Sequence, residues 1–269
     1  MTQTPTPTKP QLICSARYYW SRPQELADRL ASEWERWREK PTAAPAGLGT
    51  EGTATEVVHR LLGVTGECAI CAPFDQVWDS ITARFPERHH HDSGLGTMTA
   101  VWAATRHLRP ERAVETGVAR GFTSAVILSA MQANGAGHLW SIDLPEVNLI
   151  RSGGAGAAVD PGLADRWTWL KGGSRRLLPD LLERNTPVDL FVHDSLHTRA
   201  NMLFEMRLAW AALRPGGLLL VDDVDHNSAF AEFTAGIDAP HGSGVQGNRP
   251  GVFGAALKPA PAGSEAAPH

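Results

Sequence analysis

The run Glu115-Thr116-Gly117-Val118-Ala119-Arg120-Gly121, with Asp143 downstream of it, holds residue types that can bind a nucleoside. Residues 112–115 read as a buried strand ending on Glu115. A glycine turn follows, and 122–132 read as a helix. A second strand over 139–142 runs into Asp143. In a strand–turn–helix–strand unit, glycines let backbone approach a ligand, and the acid closing the second strand accepts hydrogen bonds from ribose hydroxyls.

The glycine spacing narrows the choice of ligand. A dinucleotide fingerprint is G-x-G-x-x-G. Here Gly117 and Gly121 enclose three residues, and Ala119 stands where the middle, pyrophosphate-admitting glycine would be. That counts against NAD and FAD. A cofactor without phosphates needs no anion cradle at the helix start. S-adenosylmethionine is such a cofactor, and the carboxylate of Glu115 suits its ammonium-bearing end.

An alternating α/β pattern must position these residues. Strands are expected over 112–115, 139–142, 168–171, 188–193 and 218–221, with a last strand over 252–257. Helices cover 97–107 and 122–132, and a further one carries Met202, Met206, Ala209, Trp210 and Leu213 on one face. Arg214-Pro215-Gly216-Gly217 reads as a helix stop and turn. Such alternation predicts a parallel sheet covered on both sides. Before it, residues 11–91 read as a helical region. Its first helix is expected to start at Ser21-Arg22-Pro23-Gln24 and to end at Pro41, with Leu26, Leu30, Trp34 and Trp37 forming a core-facing stripe. Residues 42–52 read as a linker, and further helices are expected over 56–62 and 74–85. Residues 1–10 and 259–269 read as loose tails around a domain spanning 92–258.

Composition excludes several classes. The 269 residues carry a net charge of −4 with no basic block, which argues against nucleic-acid binding. No apolar run is long enough to span a bilayer and no secretory signal opens the chain, so the expectation is a cytoplasmic enzyme. The cysteines are Cys14, Cys68 and Cys71. Cys68-x-x-Cys71 has the spacing of half a zinc site or of a redox pair. A zinc site needs two more ligands, for which His59 and His89-His90-His91 are candidates; reduced thiols in a helical appendage are the expectation.

The segment from Glu115 to Ser124, with Asp143, resembles motif I and the second-strand acid of class I S-adenosylmethionine-dependent methyltransferases. The later segments Val188-Asp-Leu-Phe-Val-His-Asp-Ser-Leu-His197 and Leu213-Arg-Pro-Gly-Gly-Leu-Leu-Leu-Val-Asp-Asp223 resemble the group that includes macrocin O-methyltransferase. The resemblance covers 92–257. It implies a Rossmann-like, seven-stranded, mostly parallel sheet with helices on both faces, to which the helical N-terminal region is added. It further implies cofactor contacts at Glu115, Gly117, Gly121, Ser124, Asp143 and Asp194, with Gly173 and Ser174 near the adenine and Asp92-Ser93-Gly94 at the entrance.

In that fold the first and fourth strands are neighbours, so Asp194, Asp222 and Asp223 would gather beside the transferred methyl group. Close carboxylates repel unless a cation compensates. The resemblance assigns these aspartates to a divalent metal, most naturally Mg²⁺ with oxygen ligands. Such an ion would bind a substrate hydroxyl and lower its pKa. His197, three residues after Asp194, is the candidate base with Asp194 beside it. His193 is expected to be structural, and His226 is a loop residue near the substrate. The expected activity is methyl transfer to a hydroxyl of a small molecule, as in natural-product biosynthesis. N-methylation, a nonmethylating cofactor-binding role and NAD-dependent oxidoreduction stand as alternatives. The Trp-rich N-terminal helix is expected to line the acceptor pocket or a homodimer interface.

Overall fold

The computed structural model describes residues 18–85, 94–247 and 250–260. Cys14, His89-His90-His91, Asp92, Ser93 and most of both expected tails lie outside the described residues. Seven strands form one sheet: β1 (Arg112–Thr116), β2 (His138–Asp143), β3 (Trp167–Lys171), β4 (Val188–His193), β5 (Leu213–Val221), β6 (His241–Val245) and β7 (Val252–Leu257). Their order is β3-β2-β1-β4-β5-β7-β6. The strands from β3 to β5 pair in parallel, and β7 runs antiparallel to both β5 and β6.

Helices cover both faces of the sheet. They are α1 (Pro23–Arg38), α2 (Ala54–Leu61), α3 (Phe74–Thr82), α4 (Leu95–Leu108), α5 (Phe122–Asn134), α6 (Val147–Arg151), α7 (Ser174–Asn185), α8 (Arg199–Ala212) and α9 (Ala229–Ala235). Successive strand residues point to opposite faces, and β5 follows this rule. Leu218 and Leu220 enter the core with α2 to α5, whereas Leu219 and Val221 enter the core with α7 to α9. β4, the second half of β5 and β7 are accordingly near-continuous apolar runs.

Four local expectations fail. The stop at Arg214 to Gly217 is already part of β5: α8 ends at Ala212, and a register irregularity against β4 absorbs the turn-like residues. Residues 42–52 are not a free linker. Gly49 N–H donates to Ser243 Oγ at 2.9 Å, Val245 N–H donates to the Gly52 carbonyl at 2.9 Å, and Thr50 bridges to Gly244. The apolar stripe of α1 faces outward, with Trp34 56% and Trp37 75% exposed. The reason is electrostatic. The opposite, polar face of α1 is the docked one, through Asp28 to Arg176, Arg29 to the Leu144 and Pro145 carbonyls, and Glu35 to Arg175. The helix start is also one residue late, with Arg22 at the cap, no side-chain cap bond and Pro23 opening the first turn.

Candidate active site

β1 and β4 are parallel neighbours whose onward connections leave in opposite directions along the sheet. Ligands of open α/β sheets bind outside the carboxyl ends of strands at such a point. A cavity of about 1050 Å³ opens there, bounded by Gly117, Asp143, Gly173, Ser174 and Asp194 from the sheet and by residues of α1. Small-ligand pockets span roughly 300–1,000 Å³, so a nucleoside cofactor leaves space beside it.

The motif turn shapes one wall. Gly117 has φ +91°, and a Cβ there would fall 1.8 Å from the Asp194 carbonyl oxygen, so β1 and β4 can close on each other only through glycine. Ala119 also lies in the left-handed region, at φ 46°, where a side chain is strained. The conformation lost with the fingerprint glycine is thus kept by alanine. Its N–H donates to Asp143 Oδ2 at 3.1 Å, which ties the turn to the end of β2. Burial pushes the Asp143 carboxyl up to about 6, against the hydrogen bonds from Ala119 and Val118 that favour its charge.

Glu115, Ser124 and Gly121 stand one layer behind the cavity wall rather than on it. Glu115 Oε2 accepts from Ser124 Oγ at 2.6 Å and Ser141 Oγ at 2.7 Å, while Oε1 is buried with no hydrogen-bond partner. Burial raises this carboxyl to about 7, the two serines notwithstanding. Gly121, at φ +89°, packs on Gly156 as the cap of α5.

Gly173 and Ser174, expected near the adenine, both line the cavity. The sequence reading missed their partner. Asp28 of α1 accepts from Gly173 N–H at 2.8 Å and from Arg176 Nη2 at 2.6 Å. Asp28, Ser32 and Glu35 recur at helical spacing and line the cavity together. This polar stripe was the available signal, and the tryptophans on the other face outweighed it.

Beyond Gly117 lies Asp194, with Thr123 Oγ1 at 3.5 Å from Oδ2 and His197 Nε2 at 3.9 Å from Oδ1. His197 sits between two other histidine rings, His193 at 5.3 Å and His226 at 5.5 Å, both edge to face. His193 is fully buried, and its Nδ1 lies 2.6 Å from Glu205 Oε2. Burial pushes the Glu205 carboxyl up, but His193 and hydrogen bonds from Ser174 and Thr116 outweigh it and hold the group low. The expectation of a structural His193 agrees with this placement.

Among the described residues, no group of ligand atoms within 4.8 Å of one another contains all three aspartates. Asp222 is 2% exposed and turns inward, where Oδ1 accepts from Thr97 Oγ1 at 2.8 Å and from the Gln246 amide. Asp223 turns the other way at φ 50° and converges with His197 and His226, whose ligating atoms lie within 4.8 Å of its own. Two adjacent residues leaving a strand face opposite sides, and the loop does not undo that parity here. The gathered set, two imidazoles and one carboxylate, is also poorly matched to Mg²⁺, which takes oxygen ligands. The residues present therefore do not fit the expected magnesium centre.

Residues 114–224 match a family model described as a methyltransferase domain. Two solved structures share the fold. One is a candidate O-methyltransferase from Klebsiella pneumoniae, 17% identical, covering 76% of this chain and 96% of its own, with a TM-score of 0.52. The other is the O-methyltransferase TomG from Streptomyces achromogenes, involved in tomaymycin synthesis and solved with S-adenosylmethionine. It is 18% identical with the same coverages and a TM-score of 0.50. No curated protein matches the chain significantly.

Proposed function

We propose that the chain is a class I S-adenosylmethionine-dependent methyltransferase and that it methylates a hydroxyl of a small molecule. One observation carries the reading. One cavity is lined by Asp143, the Gly117 turn and Asp194, and His197 Nε2 lies 3.9 Å from Asp194 Oδ1.

In this reading Asp143 accepts from the ribose, and Gly173 and Ser174 flank the adenine beneath α1. Glu115 acts on the amino acid end from behind the Gly117 turn, through its charge rather than by contact. When bound, the cofactor supplies an electrophilic methyl group on a sulfonium. His197 would take the proton that the acceptor hydroxyl gives up, so that the oxygen could meet the cofactor's methyl carbon in line with sulfur as the leaving group. His197 holds that proton beside the Asp194 carboxylate, which favours the charged ring. The larger share of the acceleration comes from alignment of oxygen, carbon and sulfur in a cavity that α1 shields from water. No step uses a metal at Asp222, because that carboxylate is engaged in the interior.

Two things support a natural-product acceptor: the space left beside the cofactor, and the description of the similarly folded TomG as acting in tomaymycin synthesis. The test is production of S-adenosylhomocysteine, read by mass spectrometry, across paired panels of hydroxylated and amine small molecules, each with and without added Mg²⁺. The reading expects turnover with hydroxyl acceptors that Mg²⁺ does not raise. Turnover confined to amines would overturn the acceptor assignment, and a strict Mg²⁺ requirement would overturn the metal-free step.

A further inference from the structure

Away from the cavity, four side chains from three separate places converge in a way the methyl-transfer chemistry does not use. His59 lies on α2, Cys68 and Cys71 form the turn between α2 and α3, and His107 lies in the last turn of α4. Their ligand atoms all fall within 4.8 Å of one another, and each residue is half-buried. His107 Nε2 is 3.1 Å from Cys68 Sγ and 3.7 Å from Cys71 Sγ, and His59 Nε2 is 3.5 Å from Cys71 Sγ. None of the four lines the cavity.

We propose that His59, Cys68, Cys71 and His107 form a structural Zn²⁺ site. Zinc takes four ligands in a tetrahedron, with bonds of about 2.3 Å to sulfur and 2.0–2.1 Å to nitrogen, which places neighbouring nitrogen and sulfur ligands roughly 3.5 Å apart. The three nitrogen–sulfur distances straddle that value. The donor set, two thiolates and two imidazoles, is one that zinc favours. The two sulfurs lie in disulfide contact, and a bound ion would sit between them as thiolates. An oxidised pair leaves the histidines unexplained. Disulfide sulfur is a poor hydrogen-bond acceptor, yet imidazoles from two different helices aim their Nε2 atoms at these two sulfurs.

Four protein ligands leave no open position for water, so the site is closed and structural. Its supports are already in place. Trp102 Nε1 donates to the Cys71 carbonyl at 3.2 Å and Arg106 Nε to the Ile70 carbonyl at 3.3 Å, fixing the Cys68–Cys71 turn on α4. Indole and guanidinium thus orient the backbone that carries the thiolates. The ion would clamp α2 and the turn onto α4, the helix that leads directly into β1 and its cofactor motif.

The experiment is metal analysis of the full chain purified under reducing conditions without chelator. The expected result is close to one zinc per chain, with Cys68 and Cys71 unreactive to a thiol reagent until the metal is displaced by a mercurial. H107A and the C68S/C71S double variant should fall to near zero zinc, whereas H226A, in the other histidine cluster, should keep it. Since the variants could fail to fold, the wild-type chain is also reconstituted with Co²⁺. It should give thiolate-to-cobalt charge-transfer absorption and the intense visible bands of a tetrahedral ion. Metal-free wild-type protein with a Cys68–Cys71 disulfide, or full zinc content in the double serine variant, would overturn the proposal.

Discussion

The two ends of the cavity are built differently. At the cofactor end, backbone does most of the recognition: the Gly117 turn, the left-handed Ala119 and the Gly173 amide are held by Asp143 and Asp28. At the other end the arrangement depends on side chains: Asp194 lines the cavity, and His197, Asp223 and His226 gather behind it from the two loops after β4 and β5. A backbone-built site follows from a short motif. A side-chain site follows from the direction each chain takes after its strand, which one residue of parity can reverse. Asp222 and Asp223 are adjacent in sequence, yet one is a buried partner of Thr97 and Gln246 and the other belongs to the histidine cluster.

This contrast can be broken at either end. The largest effect is expected from His197→Ala. A general base contributes about 10²–10⁴ in rate, so kcat should fall within that range while cofactor affinity stays within a few fold of wild type. Single-turnover methylation beside a cofactor titration measures both. A tenfold or larger loss of cofactor affinity would show that the two ends are not separable.

The next effect tests the layer behind the Gly117 turn. Burial holds Glu115 at about 7, above the ordinary carboxylate range. A carboxyl raised in the folded state stabilises fully below its unfolded pKa, and that contribution is lost as pH rises through the folded value. Between pH 4.5 and 7 the cofactor-free protein should therefore lose stability from this group, on the order of 3 kcal/mol at the upper end. Glu115→Gln keeps an acceptor for Ser124 and Ser141 but cannot ionise. Its Tm, followed from pH 5 to 8 against wild type, should decline less steeply. Parallel curves would mean that Glu115 does not carry the strain.

Much of the sheet was legible in the sequence because its strands are buried on both faces. The runs at 188–193 and 252–257 match the observed strands residue for residue. β6 was not legible. His241-Gly242-Ser243-Gly244-Val245 has no apolar period, and its pairing relies on glycine: a Cβ at Gly244 would sit 2.6 Å from Thr53 backbone. The α1 stripe was misread because periodicity finds an apolar face but not what lies beneath the helix. Ion pairs from Asp28 and Glu35 decided that the polar face docks. On the site, Gly117, Asp143, Gly173, Ser174 and Asp194, all named from sequence, line the cavity. His107 gave no signal beside the cysteines, since it reaches Cys68 and Cys71 only through the packing of α4. Of the candidates offered by sequence, His59 joins the cluster, whereas His89 to His91 fall outside the described residues.

The central claim is that S-adenosylmethionine occupies the cavity with its ribose on Asp143. Calorimetric titration of S-adenosylmethionine into wild type and Asp143→Ala, with NAD as the competing ligand, tests it most directly. Hydrogen bonds to a charged group are worth about 1.5–3 kcal/mol, so the substitution should weaken cofactor binding by roughly 10- to 150-fold, and NAD should bind far more weakly than S-adenosylmethionine to wild type. Equal cofactor affinity in the two proteins, or tighter binding of NAD, would contradict the account.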